Sequence, residues 1–212
     1  MKPYNLLLLS IHQPLYYALY LDNDLVYAQT IDEKPSSALP RMYNTLKERK
    51  ETINNIYYAN GPGNLSALKL THTFLHTWAI AENVKLYAAE SFALLPDSFI
   101  YAFGKKYFTK SSSTTTQETL RQKTYALLYA QESSLKQNLK DTKSLIPHSL
   151  QTNASNNNLS TLQAQLLAEV ASSITCVLLT KPPPHLFFEP PQVLPKAYFC
   201  LPCEPLYILP PL

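Results

Sequence analysis

The chain has 212 residues, 46% hydrophobic and 16% charged, which is enough to bury a core and far from the composition of a disordered chain. Three cysteines fit no even disulfide framework, and no apolar run approaches membrane-spanning length. The formal charge of +3 is uneven: residues 101–145 hold eight basic and three acidic side chains, net +5, whereas residues 1–100 and 146–212 each carry −1.

The opening run Met1–Leu9 is too short for a signal-peptide core, and no small-residue cleavage site precedes His12-Gln13-Pro14. A cytoplasmic location with no membrane partner is the expectation. Asn5–Ser10, Tyr16–Leu21 and Leu25–Thr30 read as three short strands, the last two joined tightly by Asp22-Asn23-Asp24. Ser36-Ser37 is expected to cap a helix over Ala38–Arg49, with Pro40 in the first turn and Lys47, Arg49 and Lys50 near its end. Leu39, Met42, Tyr43 and Leu46 form its apolar side.

Ile53–Ala59 then has the β-branched and aromatic content of a buried strand. Asn60-Gly61-Pro62-Gly63-Asn64 breaks it, Leu65–Ala81 is a proline-free and glycine-free helix of roughly 25 Å, and Lys85–Ala89 is the next strand. This is a βαβ unit with parallel pairing. Two of only three glycines in the chain lie in the turn. They serve either a tight left-handed turn or a backbone that must approach something else.

The Leu65–Ala81 helix carries one formal charge, Lys69. Leu68, His72, Leu75 and Ala79 form one stripe, Leu70, Phe74, Thr77 and Ala81 another, with Trp78 between them. A surface helix shows one apolar stripe and a charged opposite face. Here one side packs on the sheet and the other calls for a cover, from a partner subunit or a second layer.

Gly61-Pro62-Gly63-Asn64-Leu65-Ser66-Ala67-Leu68-Lys69 resembles the Gly-Pro-Gly-Ser-Phe-Thr-Gly-Leu-Arg signature of the bacterial TsaB (YeaZ) family. Ala67 replaces a glycine of that signature, and Glu204–Leu209 is similar to the family's C-terminal Pro-x-Tyr-Leu-Arg. The order strand, strand, strand, helix, strand, helix, strand fits an α/β, RNase H-like lobe of the actin, sugar-kinase and Hsp70 superfamily. The resemblance implies residues 1–97 as that lobe, carrying the partner-binding helices, and 98–212 as a smaller, degenerate second lobe. It implies a non-catalytic subunit of the machinery that makes N6-threonylcarbamoyladenosine in tRNA. The partners implied are TsaD, as a heterodimer, and the ATPase TsaE, with ATP and metal on those subunits rather than on this chain.

Beyond Ser91, Ser98–Phe103 and Lys106–Thr109 form a hairpin turning at Gly104, where the family's Asp-Ala-Arg is replaced by Tyr101-Ala102-Phe103. Ser111–Thr116 reads as a polar loop, and Tyr125–Ala130 as strand or helix. Asn153–Asn158 reads as a linker before an amphipathic helix at Leu159–Ser173, with Leu162, Leu166, Leu167 and Val170 inward. Cys176–Thr180 is the last strand. Ten of 17 prolines fall in Lys181–Leu212, which predicts an extended tail over the surface.

An actin-like nucleotide site wants an Asp and small residues in the first strand turn and a glycine cluster in the second lobe. Ser10-Ile11-His12-Gln13-Pro14 has neither Asp nor Gly, and no glycine follows Gly104. Position Glu90-Ser91-Phe92-Ala93-Leu94 lacks the His-x-x-x-His of TsaD. His72 and His76 have that spacing inside the helix, without a third ligand, and read as core or interface histidines. Cys200-Leu201-Pro202-Cys203 has redox or metal-half-site spacing but no second pair and no following helix. Lys105, Lys106, Lys110, Arg121, Lys123, Lys136, Lys140 and Lys143 are a solvated face or a weak, indirect contribution to tRNA docking.

The partner interface is therefore expected at Leu39, Met42, Leu46, Leu68, His72, Leu75 and Ala79, with Gly61, Pro62 and Gly63 as the family loop and no catalytic or metal residue. Which stripe of the helix faces the sheet stays open. The alternatives are a small ATP-dependent enzyme of the same superfamily, or a homodimeric scaffold unrelated to tRNA.

Overall fold

The computed structural model describes residues 3–96, 98–111, 115–140, 151–183 and 188–208. Tyr4–Leu9 (β1), Leu15–Leu21 (β2) and Asp24–Ile31 (β3) form an antiparallel meander. Pro35–Glu48 (α1) leads to Ile53–Ala59 (β4), and Leu65–Glu82 (α2) leads to Lys85–Ala89 (β5). β4 runs parallel to β1 and β5 parallel to β4, giving the order β3-β2-β1-β4-β5. That order is RNase H-like, as the element sequence predicts. Leu6, Leu7, Leu8 and Leu9 are all buried, because β1 lies mid-sheet and is covered on both faces.

α1 and α2 pack side by side, with Leu39, Met42, Leu46, Leu68, Leu75 and Trp78 buried beneath them. The start of α1 differs from the Ser36-Ser37 cap. Pro35 takes the first helical position after Lys34, whose carbonyl accepts from Ser37 N and Ala38 N, so no side-chain cap forms. Pro40 consequently lies inside the helix, on its exposed side.

The proline-rich tail departs most from expectation. It is extended, yet it is packed rather than superficial. Leu25 N donates to Gln192 O and Leu194 N to Asn23 O at the β3 edge, while Leu201 N donates to Ala88 O at the β5 edge. Between them the segment crosses the sheet, its Pro191 O accepting from Tyr20 Oη and its Phe199 ring set edge-on to Tyr57. Phe188, Leu194, Phe199, Cys200, Leu201 and Leu206 are buried. Proline removes a donor without removing its carbonyl, so a chain of this composition can hydrogen-bond to a sheet edge at its non-proline positions. It thereby pairs with one end of each edge strand, the start of β3 and the end of β5.

Ser91–Leu94 (α3) leads to a second, antiparallel sheet of Ile100–Phe103 (β6), Lys106–Lys110 (β7) and Ile174–Leu178 (β8). The hairpin at Gly104 is as expected. Thr115–Lys140 (α4) and Gln151–Ser173 (α5) pack together, Gln117 Nε2 donating to Glu169 O. Tyr125–Ala130 is thus helix, and Thr115 and Thr116 open it, whereas Ser112–Thr114 lie outside the described residues. Asn153–Asn158 is helical rather than a linker: neutral polar residues disfavour helix only weakly, and the apolar stretch from Leu159 carries the helix through them. Leu166 and Val170 point inward, with Leu162 and Leu167 half-buried.

A buried ion cluster joins the two sheets. Glu90, after β5, is 1% exposed, and its Oε1 takes both Lys110 Nζ of β7 at 2.5 Å and Arg121 Nη2 of α4 at 2.8 Å. Arg121 also lies 3.6 Å from Glu118 and over the Tyr198 ring. Two of the eight cations of the basic middle segment are spent here. Glu90→Gln would take from Lys110 its carboxylate and leave Arg121 only the half-exposed Glu118, and loss of one partner from such a buried group costs about 3 kcal/mol or more. Urea unfolding of Glu90→Gln is expected to show that loss; an unchanged midpoint would mean the carboxylate does not pin the sheets together.

Candidate docking face

The Gly61-Pro62-Gly63 loop fixes how α2 leaves the sheet. Of its two possible purposes, close approach accounts for both glycines, and what approaches is the chain itself. A Cβ on Gly61 would sit 2.6 Å from Leu206 O, and one on Gly63 would sit 2.7 Å from Ile11 Cβ and 2.9 Å from Ile11 O. Gly61 also has φ +128°, a value that L side chains rarely adopt. Around it Leu206 N donates to Asn60 O, Asn60 Nδ2 donates to Pro202 O and Glu204 O, and Ser91 N donates to Gly61 O. Asn64 N donates to Ile11 O and Thr71 Oγ1 to Ser10 O, seating α2 on the β1–β2 turn. Asn64 Oδ1 accepts from Ala67 N as the helix cap, and Asn64 Nδ2 donates to Ala102 O of β6.

That seating decides which stripe of α2 faces the sheet. Ala67, Leu68, Thr71, Leu75 and Trp78 are buried, whereas Leu65 (44% exposed), Leu70 (38%) and Ile80 (86%) face outward. Five of the seven expected contact residues are corrected by this: Leu39, Met42, Leu46, Leu68 and Leu75 are interior to the chain and unavailable to a partner. His72 and Ala79 are half-buried. The reason is the aromatic layer between the helices, where Tyr43 packs edge-on against Trp78 at 5.0 Å and Phe74 at 6.2 Å. Trp78 turns the Leu68–Leu75 side inward.

The outward flank is a ridge of Leu65, Lys69, Leu70, Thr73, Thr77, Ile80 and Ala81. Its two threonines add no free hydroxyl, since Thr73 Oγ1 donates to Lys69 O and Thr77 Oγ1 to Thr73 O. They present methyl groups instead. Charge appears within the ridge only at Lys69, and beside it at the Lys47–Glu82 pair of 2.6 Å between α1 and α2. Such a surface is inexpensive to dehydrate and makes few directional demands on a partner. The sequence pattern missed Ile80, which stands a helical turn from Thr77 and two turns from Thr73 and is visible as the continuation of that stripe.

The other singled-out residues serve the strap over the sheet edge. The His72 and His76 rings lie 4.1 Å apart, and His76 Nε2–H donates to Cys203 O at 3.3 Å. Burial lowers the His72 pKa, and its neighbour His76 lowers it further. Among the described residues no group of three or more His, Cys, Asp or Glu is placed to hold a metal ion. Tyr58 Oη donates to Cys203 O, and the Cys203 thiol lies 3.4 Å from Leu86 O. Burial pushes the Cys200 and Cys203 thiols up to about 11, so both stay protonated near neutrality. Of the basic middle segment, Lys105 and Lys123 are exposed and Lys106 half-buried, whereas the Lys136, Lys140 and Lys143 side chains lie outside the described residues.

No protein-family model and no curated protein matches the chain. Among solved structures it is similar to YeaZ from Pseudomonas aeruginosa, at 16% identity over 50% of this chain and 58% of that one, with a TM-score of 0.42. It is also similar to an uncharacterized protein described by its likeness to peptidase YEAZ from Pseudomonas aeruginosa, at 15% identity over 53% and 61%, with a TM-score of 0.42. The chain thus matches about three fifths of each neighbour's length. Among the described residues no helix is long and apolar enough to cross a membrane.

Gly63→Ala tests the junction. Its Cβ would meet the buried Ile11 side chain and backbone, and overpacking of that kind costs about 1–3 kcal/mol. Chemical denaturation is expected to show a loss in that range. A neutral effect would mean the β1–β2 turn and α2 are not held in contact.

Proposed function

We propose that the chain is a TsaB-like docking subunit. It acts without catalysis of its own in the cytoplasmic complex that forms N6-threonylcarbamoyladenosine in tRNA, paired with a TsaD-like catalytic subunit and reached by a TsaE-like ATPase. ATP and metal belong to those partners. The observation that carries this reading is the α2 ridge, an exposed helix flank with three large aliphatic side chains and two threonines whose hydroxyls are already satisfied. The Gly61–Lys69 motif and the RNase H-like strand order support it. A dimer interface needs roughly 800 Å² from each partner, which requires the α1 margin at Arg41, Asn44 and Lys47 as well as the ridge.

Substitutions must fall on the ridge to test docking. Leu75→Glu would charge a fully buried position and report only on folding. Ile80→Glu and Leu70→Glu leave the core intact. Each is expected to weaken co-purification with the TsaD-like subunit about tenfold or more, as for a charge placed in a desolvated interface, while thermal unfolding of the isolated chain stays unchanged. Undiminished heterodimer in the double variant would contradict the reading. Loss of a self-associated species in sedimentation, with the heterodimer intact, would instead assign the ridge to a homodimer.

A further inference from the structure

Each sheet has two edge strands, and three of the four are met by another part of the chain. The strap bonds the start of β3 and the end of β5, and Asn64 Nδ2 donates to Ala102 O of β6. β8 differs. It is the outer strand of the second sheet and is paired with β7 alone.

The register shows which of its backbone groups are spare. Leu179 N donates to Lys105 O and Ser111 N to Ser173 O, so the odd-numbered residues of 173–179 bond to β7. In an antiparallel ladder the residues between them turn their N–H and C=O the other way. The Cys176 and Leu178 N–H groups and the Ile174 and Cys176 carbonyls therefore aim outward, and none of these four has a partner among the described residues.

An edge left open is ordinarily guarded by a charge, a proline or a bulge that keeps other chains off. Ile174-Thr175-Cys176-Val177-Leu178 has none of these: it is uncharged, proline-free and in unbroken register with β7. Leu178, 71% exposed, lies on the same face as Ile174 and Cys176, the face of the buried Phe108. The helix that runs into the strand is almost as free of charge. α5 holds one charged residue, Glu169, in 23, and its exposed Ala164, Gln165, Ala168 and Ser172 are neutral.

We infer that β8 pairs with β8 of a second copy of the chain, antiparallel about a two-fold axis at Cys176, joining two three-stranded sheets into one of six strands. Symmetry selects a copy over an unrelated strand. About that axis Leu178 N meets Ile174 O and Cys176 N meets Cys176 O of the other copy, so all four spare groups of each edge are used. Leu178 then stands opposite Ile174, an apolar cross-strand pair. No like charges meet, because neither strand has any, whereas a charged strand would find no complement on β8. Five residues of ladder fall short of the roughly 800 Å² that each partner of a stable dimer contributes; the neutral flank of α5 supplies the remainder. No residue of the α2 ridge takes part, so this inference and the proposed function stand or fall separately.

The test is sedimentation velocity of the full chain over a rising concentration series, where a monomer–dimer equilibrium is expected. Leu178→Lys, at an exposed position where folding is not at stake, sets a charge opposite Ile174 and is expected to weaken the dimer about tenfold or more. Ile80→Glu with Leu70→Glu is expected to leave it unchanged. Opposed Cys176 residues would have Cα atoms about 5.5 Å apart. A short bismaleimide is therefore expected to link two copies through Cys176, and to fail in Cys176→Ser, which still dimerises. A chain that stays monomeric at every concentration would overturn the inference, as would an undiminished dimer in folded Leu178→Lys or a dimer that does not link at Cys176. Self-association lost in the ridge variant would assign the contact to α2 and overturn it equally.

Discussion

The absence of two side chains, at Gly61 and Gly63, is the constraint from which the rest of the molecule follows. Three separate stretches of backbone meet there: the turn after β1, the start of α2 and the C-terminal strap. Any Cβ would hold them apart by more than the packing can absorb. Once they close, Asn60 Nδ2 bonds the carbonyls of the strap, and Asn64 bonds the helix start and β6. The glycines are therefore a device of internal closure, where the sequence left open a tight left-handed turn or a backbone approaching something else.

Closure sets the rotation of α2. With Asn64 seated on Ile11 and Thr71 on Ser10, the Leu68–Leu75 stripe is committed to the core and Leu65, Leu70 and Ile80 to the outside. The helix could not expose the other flank without breaking the Tyr43–Trp78 layer. On the far side of β5, Glu90 gathers Lys110 and Arg121 and fixes the second sheet at an angle that opens a cleft rather than a sealed interface. The junction thus presents an aliphatic ridge on the outer flank of α2, and the ion cluster sets the second sheet beside it.

The βαβ unit, the opening meander and the Gly104 hairpin were legible in the sequence because each rests on local signals: β-branched runs, a Gly-Pro-Gly break, a lone glycine between aromatic strands. The facing of α2 was not, since a helix with one charge in seventeen residues offers two apolar stripes of equal merit, and the choice depends on where Tyr43 of a different helix places its ring. The tail from Lys181 misled for a similar reason. Proline density argues for extension and says nothing of whether the intervening residues meet a strand edge 113 residues earlier in the chain, as Leu201 meets Ala88. Asn153–Asn158 looked like a linker because polarity and helicity are nearly independent for neutral residues. Charge counting over residues 101–145 could not show that Lys110 and Arg121 are turned inward onto Glu90, a partner that lies 20 and 31 residues away in the chain.

The most direct test is native-state hydrogen exchange at the strap. If the junction organises the molecule, the Leu201 and Leu206 amides, bonded to Ala88 O and Asn60 O, exchange only with the opening that also exposes β1 and β4. Their protection would then match that of the central strands. Exchange of Leu201 and Leu206 at the rate of an unstructured tail, while β1 and β4 stay protected, would show that the strap is not part of the closed core and that α2 owes its facing to something else.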